Sequence, residues 1–351
     1  MKVCSVVGTR PNFVKEYLVN QELRRRRICE VLIHTGQHYD YEMSRVFFDC
    51  FDLPAPDYNL QIPNADSIAF SARAIVELAS TFDAEKPDCV LAYGDVNSTM
   101  AAAIAASKLR IPFAHVEGGI RTPERHNPEE INRRVSDVLS DVVFCCTKTE
   151  VDNLEREGYE ASRIELTGDL LNDALLMTLS KYDILPSRGD YDLLTIHRHE
   201  NLSSDARLSA IIRGVIKADR RTVFPAHPRT LNCLLTLGLV DTLKESKIEL
   251  CKPMSYLEFL RLAAGANKIL TDSGGVRREA YFLHKPCIVL IEISWFPQIA
   301  QAGWKVLTGP DPDRIAHLIR DFEPTKPYQE LFGDGTAFRQ IVNGLAKRYA
   351  A

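Results

Sequence analysis

Val3-Cys4-Ser5-Val6-Val7-Gly8-Thr9-Arg10-Pro11 opens the chain with a β-branched run, a short polar turn and a proline, and a helix-period pattern follows from Pro11 to Leu23. Strand, turn, helix is the alphabet of a parallel α/β sheet. The same alternation recurs at Glu30–His34, Cys89–Ala92, Phe113–Val116 and Val142–Cys145, each run followed by turn residues and an amphipathic segment. After Ile164–Thr167 it restarts with Leu193–Ile196, Thr222–Phe224, Ile248–Leu250, Lys268–Leu270 and Cys287–Leu290. Between the two sets lie Gly168 and the stretch from Lys181 to Asp190, with Pro186, Ser187 and Gly189. The pattern predicts two doubly wound, Rossmann-like α/β domains, residues 1–168 and 169–351, with a flexible crossing near Gly168 and the last helix, Thr336–Arg348, packing back across them. A chain of 351 residues has the length for two such domains.

Composition excludes several classes. Apolar residues are 45% and charged residues 26%, ordinary for a globular protein, and 43 Lys and Arg against 47 Asp and Glu leave a formal charge of -4. No global field draws in nucleic acid or an anionic membrane, so an anionic ligand has to be bound locally. Arg24–Arg27 reads as a solvated helix end facing the negative pole of the dipole. Nine cysteines include no CxxC pair, and no signal peptide or membrane-length apolar stretch is present; reduced thiols in a cytoplasmic protein are expected.

In open α/β sheets ligands sit beyond the carboxyl ends of the strands. The residues there are polar: Gly8-Thr9-Arg10, Thr35-Gly36-Gln37-His38, Gly94-Asp95, Glu117-Gly118-Gly119, His197-Arg198-His199-Glu200, His227-Pro228-Arg229 and Asp272-Ser273-Gly274-Gly275. Two such rims suggest a cleft between the domains. Ser273-Gly274-Gly275 leads from strand to helix, where free N–H groups and the helix dipole suit a phosphate, and Arg10 and Lys15 on the other domain supply matching cations. Taken alone, a GG pair is more often just a tight turn. Asp95, Glu117 and Glu129 add carboxylates, which would be costly beside phosphates unless they serve the reacting carbon, although Glu129-Glu130 also suits an ordinary acidic first helical turn. His197 and His199 invite a metal reading, yet a histidine donating to a phosphate oxygen fits better with a pair that opens a second domain.

Together these segments, with Tyr93-Gly94-Asp95-Val96-Asn97-Ser98-Thr99, His115-Val116-Glu117-Gly118-Gly119-Ile120-Arg121-Thr122, Pro128-Glu129-Glu130-Ile131-Asn132-Arg133 and Ile196-His197-Arg198-His199-Glu200-Asn201, resemble the non-hydrolysing UDP-N-acetylglucosamine 2-epimerases over essentially the whole chain. The resemblance implies a glycosyltransferase-B-like fold with its active site in the interdomain cleft, a homodimer and no cofactor or metal. It places the catalytic carboxylates on Asp95, Glu117 and Glu129 and the catalytic histidine on His197. Diphosphate contacts fall on Arg10, Lys15, Ser273, Gly274 and Gly275, the ribose carboxylate on Glu279 and the uracil-flanking ring on Phe259. A second, regulatory UDP-sugar site would use Gln37, His38, Glu129 or Glu130, and Arg198.

This chain departs from the family downstream. Arg277-Arg278-Glu279-Ala280 stands where Gln-Glu-Glu-Ala is usual, Ile291 replaces an arginine, and Ser294-Trp295-Phe296-Pro297-Gln298 stands for Thr-Glu-Arg-Pro-Glu, so a diphosphate-binding arginine becomes Phe296. The text around Tyr281-Phe282, Pro286-Cys287 and Gly303-Trp304 is similar to the branch acting on UDP-2,3-diacetamido-2,3-dideoxyglucuronate. The expected activity is inversion of C2 in UDP-N-acetylglucosamine through elimination and re-addition of UDP. The alternatives are the diacetamido uronate as substrate, a catalytically silent nucleotide-sugar binder and a metal-dependent hydrolase.

Overall fold

A computed structural model describes residues 1–37, 55–63, 66–293 and 295–350, without the side chain of Arg10. By contacts the chain forms two units, Met1–Met177 with Glu330–Ala351, and Thr178–Gln329. The first unit carries strands β1 (Lys2–Val7), β2 (Cys29–His34), β3 (Tyr58–Asn59), β4 (Cys89–Tyr93), β5 (Phe113–Val116), β6 (Val142–Cys145) and β7 (Ile164–Leu166). They form a seven-stranded parallel sheet in the order β3-β2-β1-β4-β5-β6-β7. The second unit holds β8 (Asp192–Thr195), β9 (Thr222–Pro225), β10 (Ile248–Cys251), β11 (Ile269–Thr271), β12 (Cys287–Val289) and β13 (Lys305–Leu307). These make a six-stranded parallel sheet in the order β10-β9-β8-β11-β12-β13.

Strand composition follows from burial on both faces. Every residue of β4, Cys-Val-Leu-Ala-Tyr, and of β5, Phe-Ala-His-Val, is buried, as expected of central strands covered by helices on each side. The helix Asn97–Leu109 buries Ala101, Ala102, Ala103, Ala105 and Ala106, and small side chains let it lie close against its neighbours Ser67–Glu85 and Pro128–Leu139. In the second unit Leu194, Ile196, Ile211, Phe224, Leu270, Ile288 and Ile315 meet in one core. Arg25 and Arg26, from the basic run, pair with the buried Glu22 one turn back, at 2.7 and 2.6 Å.

The first unit extends beyond residue 168. Asp169 donates its N–H to the carbonyl of Phe332 at 2.9 Å, and Asn172 Nδ2 donates to that of Gly333 at 3.0 Å. Leu170, Ala174 and Leu175 are buried, so the stretch around Gly168 belongs to this unit's interior and the chain leaves it inside the helix Leu170–Lys181. The final helix, Ala337–Tyr349, returns to pack on the helix Arg10–Arg25, burying Ile341, Val342 and Leu345.

In both sheets the order in which strands are added reverses near the middle, between β1 and β4 and between β8 and β11. At such a switch point the connecting helices leave to opposite faces and the loops part, which opens a crevice at the strands' carboxyl ends.

Candidate active site

In the first unit the switch point gathers Asn12, Lys15, Gly94, Asp95 and Glu117. Asn12 Oδ1 accepts the N–H groups of Gly8 and Thr9 at 3.2 and 3.1 Å, and its Nδ2 donates to the Tyr93 carbonyl at 3.1 Å, tying the first loop to the end of β4. Gly94 follows with φ +68, and a Cβ there would sit 3.6 Å from both Lys15 Nζ and Glu117 Oε2. Lys15, buried, forms an ion pair with Glu117, itself buried and held at φ 66. A left-handed backbone on a non-glycine residue costs energy and persists only where its surroundings impose it. Asp95 pairs with Arg133, whose Nη1 lies 3.3 Å from Glu130.

A buried network lies beneath the Glu117 turn. His115, fully enclosed, places Nε2 2.7 Å from the Gly94 carbonyl and Nδ1 2.7 Å from Asp137 Oδ1. Asp137 Oδ2 accepts from the Gly119 N–H at 3.1 Å and from Arg121 Nη1 at 2.7 Å. Burial by itself would raise the Asp137 carboxyl, but the His115 hydrogen bond and the Arg121 guanidinium outweigh it and hold it below the usual carboxylate range. The turns bearing Asp95 and Glu117 are thereby fixed to each other through one histidine.

Glu129 lies exposed in the first turn of the helix Pro128–Leu139, its N–H bonded to Asn127 Oδ1 at 2.9 Å. Glu130 is fully buried, where it binds Arg134 Nε at 2.8 Å and the Thr122 N–H at 3.0 Å. Gln37 Oε1 accepts from Ser98 Oγ at 2.7 Å. Arg10 opens the helix that carries Lys15, and His38 lies outside the described residues.

In the second unit Asp272 organises the rim. Fully buried, it accepts the N–H groups of His197 at 3.1 Å and Arg198 at 3.0 Å and the amide of Asn201 at 3.0 Å, so the turn after β8 is bound to the turn after β11. His197 Nδ1 stands 3.6 Å from Asp272 Oδ1. Desolvation lowers the His197 pKa; Asp272 opposes that shift, and the charges of Arg198, His227 and Arg277 reinforce it. Ser273 caps the helix Gly274–Phe282, its side chain accepting from the Val276 N–H. A Cβ on Gly275 would meet nothing within 4 Å. The space over this helix end is open, with N–H groups facing it. Glu279 lies on the same helix and Phe259 on the helix Tyr256–Gly265, both half-buried.

The structure thus brings Lys15, Asp95 and Glu117 together in the first unit and His197, Arg198, Ser273 and Gly274 in the second. Sequence reasoning passed over Asn12 and Asp137 and gave no individual role to His115, Arg133 and Asp272; Asn12, His115, Asp137 and Asp272 are marked out by their burial, and Arg133 by its pairing with Asp95. Among the described residues no group of three or more His, Cys, Asp and Glu side chains gathers as a metal site.

A fold of two doubly wound sheets, with a carboxylate rim on one and a capped, open helix end on the other, is the kind that handles nucleotide-sugars. The UDP-N-acetylglucosamine 2-epimerase family model matches residues 21–346, and the chain belongs to that family. It is 40% identical to a UDP-N-acetylglucosamine 2-epimerase homolog of Methanococcus maripaludis, over 98% of this chain and 99% of that protein. It is 36% identical to the UDP-2,3-diacetamido-2,3-dideoxy-D-glucuronate 2-epimerase of Pseudomonas aeruginosa, covering 99% of this chain and 100% of the relative. The crystal structure of Methanocaldococcus jannaschii UDP-GlcNAc 2-epimerase, in complex with UDP-GlcNAc and UDP, superposes with a TM-score of 0.86 at 36% identity, covering 99% of this chain and 100% of that one.

Proposed function

We propose that this chain inverts C2 of a UDP-linked 2-acetamido sugar, converting UDP-N-acetylglucosamine to UDP-N-acetylmannosamine without a cofactor. The observation that carries this reading is the division of chemistry between the rims: carboxylates paired with Arg133 and Lys15 at Asp95 and Glu117 on one, and the capped helix end with His197 on the other. The C2 proton is not next to a carbonyl, so direct abstraction is slow. Departure of UDP from C1 makes that carbon oxocarbenium-like and acidifies C2. The helix end, Ser273 and His197 stabilise the leaving diphosphate, with Arg10 completing its contacts, while Phe259 and Glu279 hold the uracil and ribose. Asp95 and either Glu117 or Glu129 move the proton, and Lys15 holds the Glu117 carboxylate in place through their ion pair. The glycal and UDP then recombine with the proton on the other face.

The enzyme works as a homodimer in the cytoplasm. Ile68 and Val76, 82% and 67% exposed on the helix Ser67–Glu85, give a second copy an apolar face to cover, and cysteines such as Cys89 and Cys145 are buried free thiols suited to a reducing compartment. No helix of the described residues is long and apolar enough to cross a membrane.

The experiment is proton NMR of UDP-N-acetylglucosamine incubated with the chain in deuterated water. The manno product should appear with deuterium at C2; product keeping its original C2 proton would exclude elimination. The Pseudomonas relative favours a parallel incubation with the diacetamido uronate. Turnover of that sugar alone would reassign the substrate, and turnover of neither would make the chain a silent binder.

A further inference from the structure

Position 296, where the family motif carries a diphosphate-binding arginine, is Phe296, and the residue before it is a tryptophan. The Arg198 guanidinium carbon lies 3.8 Å from the centroid of the Trp295 ring, and that of Arg277 lies 5.2 Å from it. The edge of the same ring stands 3.3 Å from where a Cβ on Gly274 would project, and Arg198 Nη2 is 3.9 Å from that point. The stacked guanidinium therefore borders the first residue of the helix Gly274–Phe282, whose amino end faces open space over Gly275.

The platform is built from behind. Arg277, fully buried, donates through Nη2 to the Asp272 carbonyl at 2.9 Å and through Nη1 to that of Ile293 at 3.3 Å, joining the turn after β11 to the segment that carries Trp295. Lys305, also buried, donates to the carbonyls of Trp295 at 2.5 Å and Phe296 at 2.8 Å. Arg277 is thus spent on backbone carbonyls and does not reach a ligand as a free cation. Arg278 lies over the Phe296 ring, 4.7 Å from its centroid. Arg198 is different. Its backbone N–H is held by Asp272 and its face rests on the indole; among the described residues its buried Nε meets no acceptor and its one ion pair is a 3.4 Å contact with the half-exposed Glu200.

We infer that Arg198 is the cation that receives the diphosphate of the UDP-sugar at the amino end of the helix Gly274–Phe282, and that Trp295 is the positioning residue that holds its guanidinium flat for this contact. The inference rests on the proposed UDP-sugar reading. It takes Arg198 from the regulatory site that the family resemblance implied and assigns to an Arg198–Trp295 pair, beside Gly274, the charge that is missing at Phe296. A planar guanidinium on an aromatic face keeps its N–H edge free for phosphate oxygens, whereas an ammonium on a flexible stem does not stack in this way. The exposed Glu200 contact is weak enough for a dianionic ligand to displace.

Calorimetric titration of the full-length chain with UDP, UMP and uridine tests this, with melting curves of each variant as the check on folding. Arg198→Ala should weaken UDP about tenfold or more, weaken UMP less and leave uridine unchanged. Arg198→Lys should recover only part of the loss. Trp295→Leu should follow the same ligand order, and the double variant should be no worse than Arg198→Ala, since Trp295 acts through Arg198. UDP affinity within twofold of wild type in Arg198→Ala would overturn the inference, as would an equal loss for all three ligands. If the wild-type chain binds UDP no better than uridine, the nucleotide-sugar reading itself fails and the inference goes with it. Wild-type preference for UDP that survives Arg198→Ala removes the inference alone.

Discussion

His197 stands with its side chain half exposed at the end of β8, its pKa held low by desolvation and by the cations of Arg198, His227 and Arg277 against the pull of Asp272. In the free protein it is mostly neutral at pH 7. A bound diphosphate adds negative charge and raises that pKa, so between the free and bound values binding must draw a proton from solution. Titrations with UDP at about pH 6, in two buffers of different ionisation enthalpy, should show net proton uptake. The terminal phosphate titrates in the same range, so the decisive comparison is His197→Asn, in which the uptake assigned to the histidine should vanish. Equal uptake in wild type and variant would show that His197 does not face the phosphates. The same side chain shows how much was legible at this scale. A histidine ending a strand was visible in the sequence, but Asp272 as its anchor was not, because an aspartate before Ser-Gly-Gly reads equally well as a turn residue.

Among the elements, the helix Gly274–Phe282 separates two glycines that are adjacent in sequence. A methyl group on Gly274 would press on the Trp295 ring at 3.3 Å, whereas one on Gly275 would enter empty space. Gly275→Ala should therefore fold normally and melt no lower than wild type, since alanine is the better helix former by up to about 1 kcal/mol. It should nonetheless lose UDP affinity, at least tenfold by calorimetry, because the added methyl occupies the approach to the helix's free N–H groups. Unchanged affinity in a stable variant would place the phosphates elsewhere. Two strands escaped the sequence reading at this scale. β3 has two residues and β13 three, Lys305-Val306-Leu307, too short for a periodicity to register, and each is an edge strand defined by its neighbour.

For the whole molecule, the first unit is closed by the chain's own end. Asp173, fully buried, accepts the Phe338 N–H at 3.0 Å and so caps the returning helix Ala337–Tyr349. Burial pushes its pKa up to about 7, against a value near 3.9 in an unfolded chain. The folded state thus holds a proton that the unfolded chain has released between roughly pH 4 and 7, and stability contributed by this group is lost as pH rises through that window, by at most ~4 kcal/mol. The melting temperature should fall from pH 5 to pH 8 in wild type and fall less in Asp173→Asn. Parallel slopes in the two proteins would show that Asp173 is not protonated in the folded state.

What the sequence determined by itself was the alternation of buried strands and amphipathic helices, and with it two parallel sheets. That pattern is local, written in runs of Val, Ile, Leu and Cys between polar turns, and a strand buried on both faces has no other way to be spelled. It also determined which residues stand at the strands' carboxyl ends, because Asp95, Glu117, His197 and Ser273 each lie within two residues of the end of their strand. Tertiary structure alone decided their partners. Lys15 meets Glu117, His115 joins Gly94 to Asp137, Arg198 lies on Trp295, and the last helix belongs to the first unit. These contacts span long stretches of chain, and they depend on which strands lie side by side at a switch point and which polar groups burial then forces to pair.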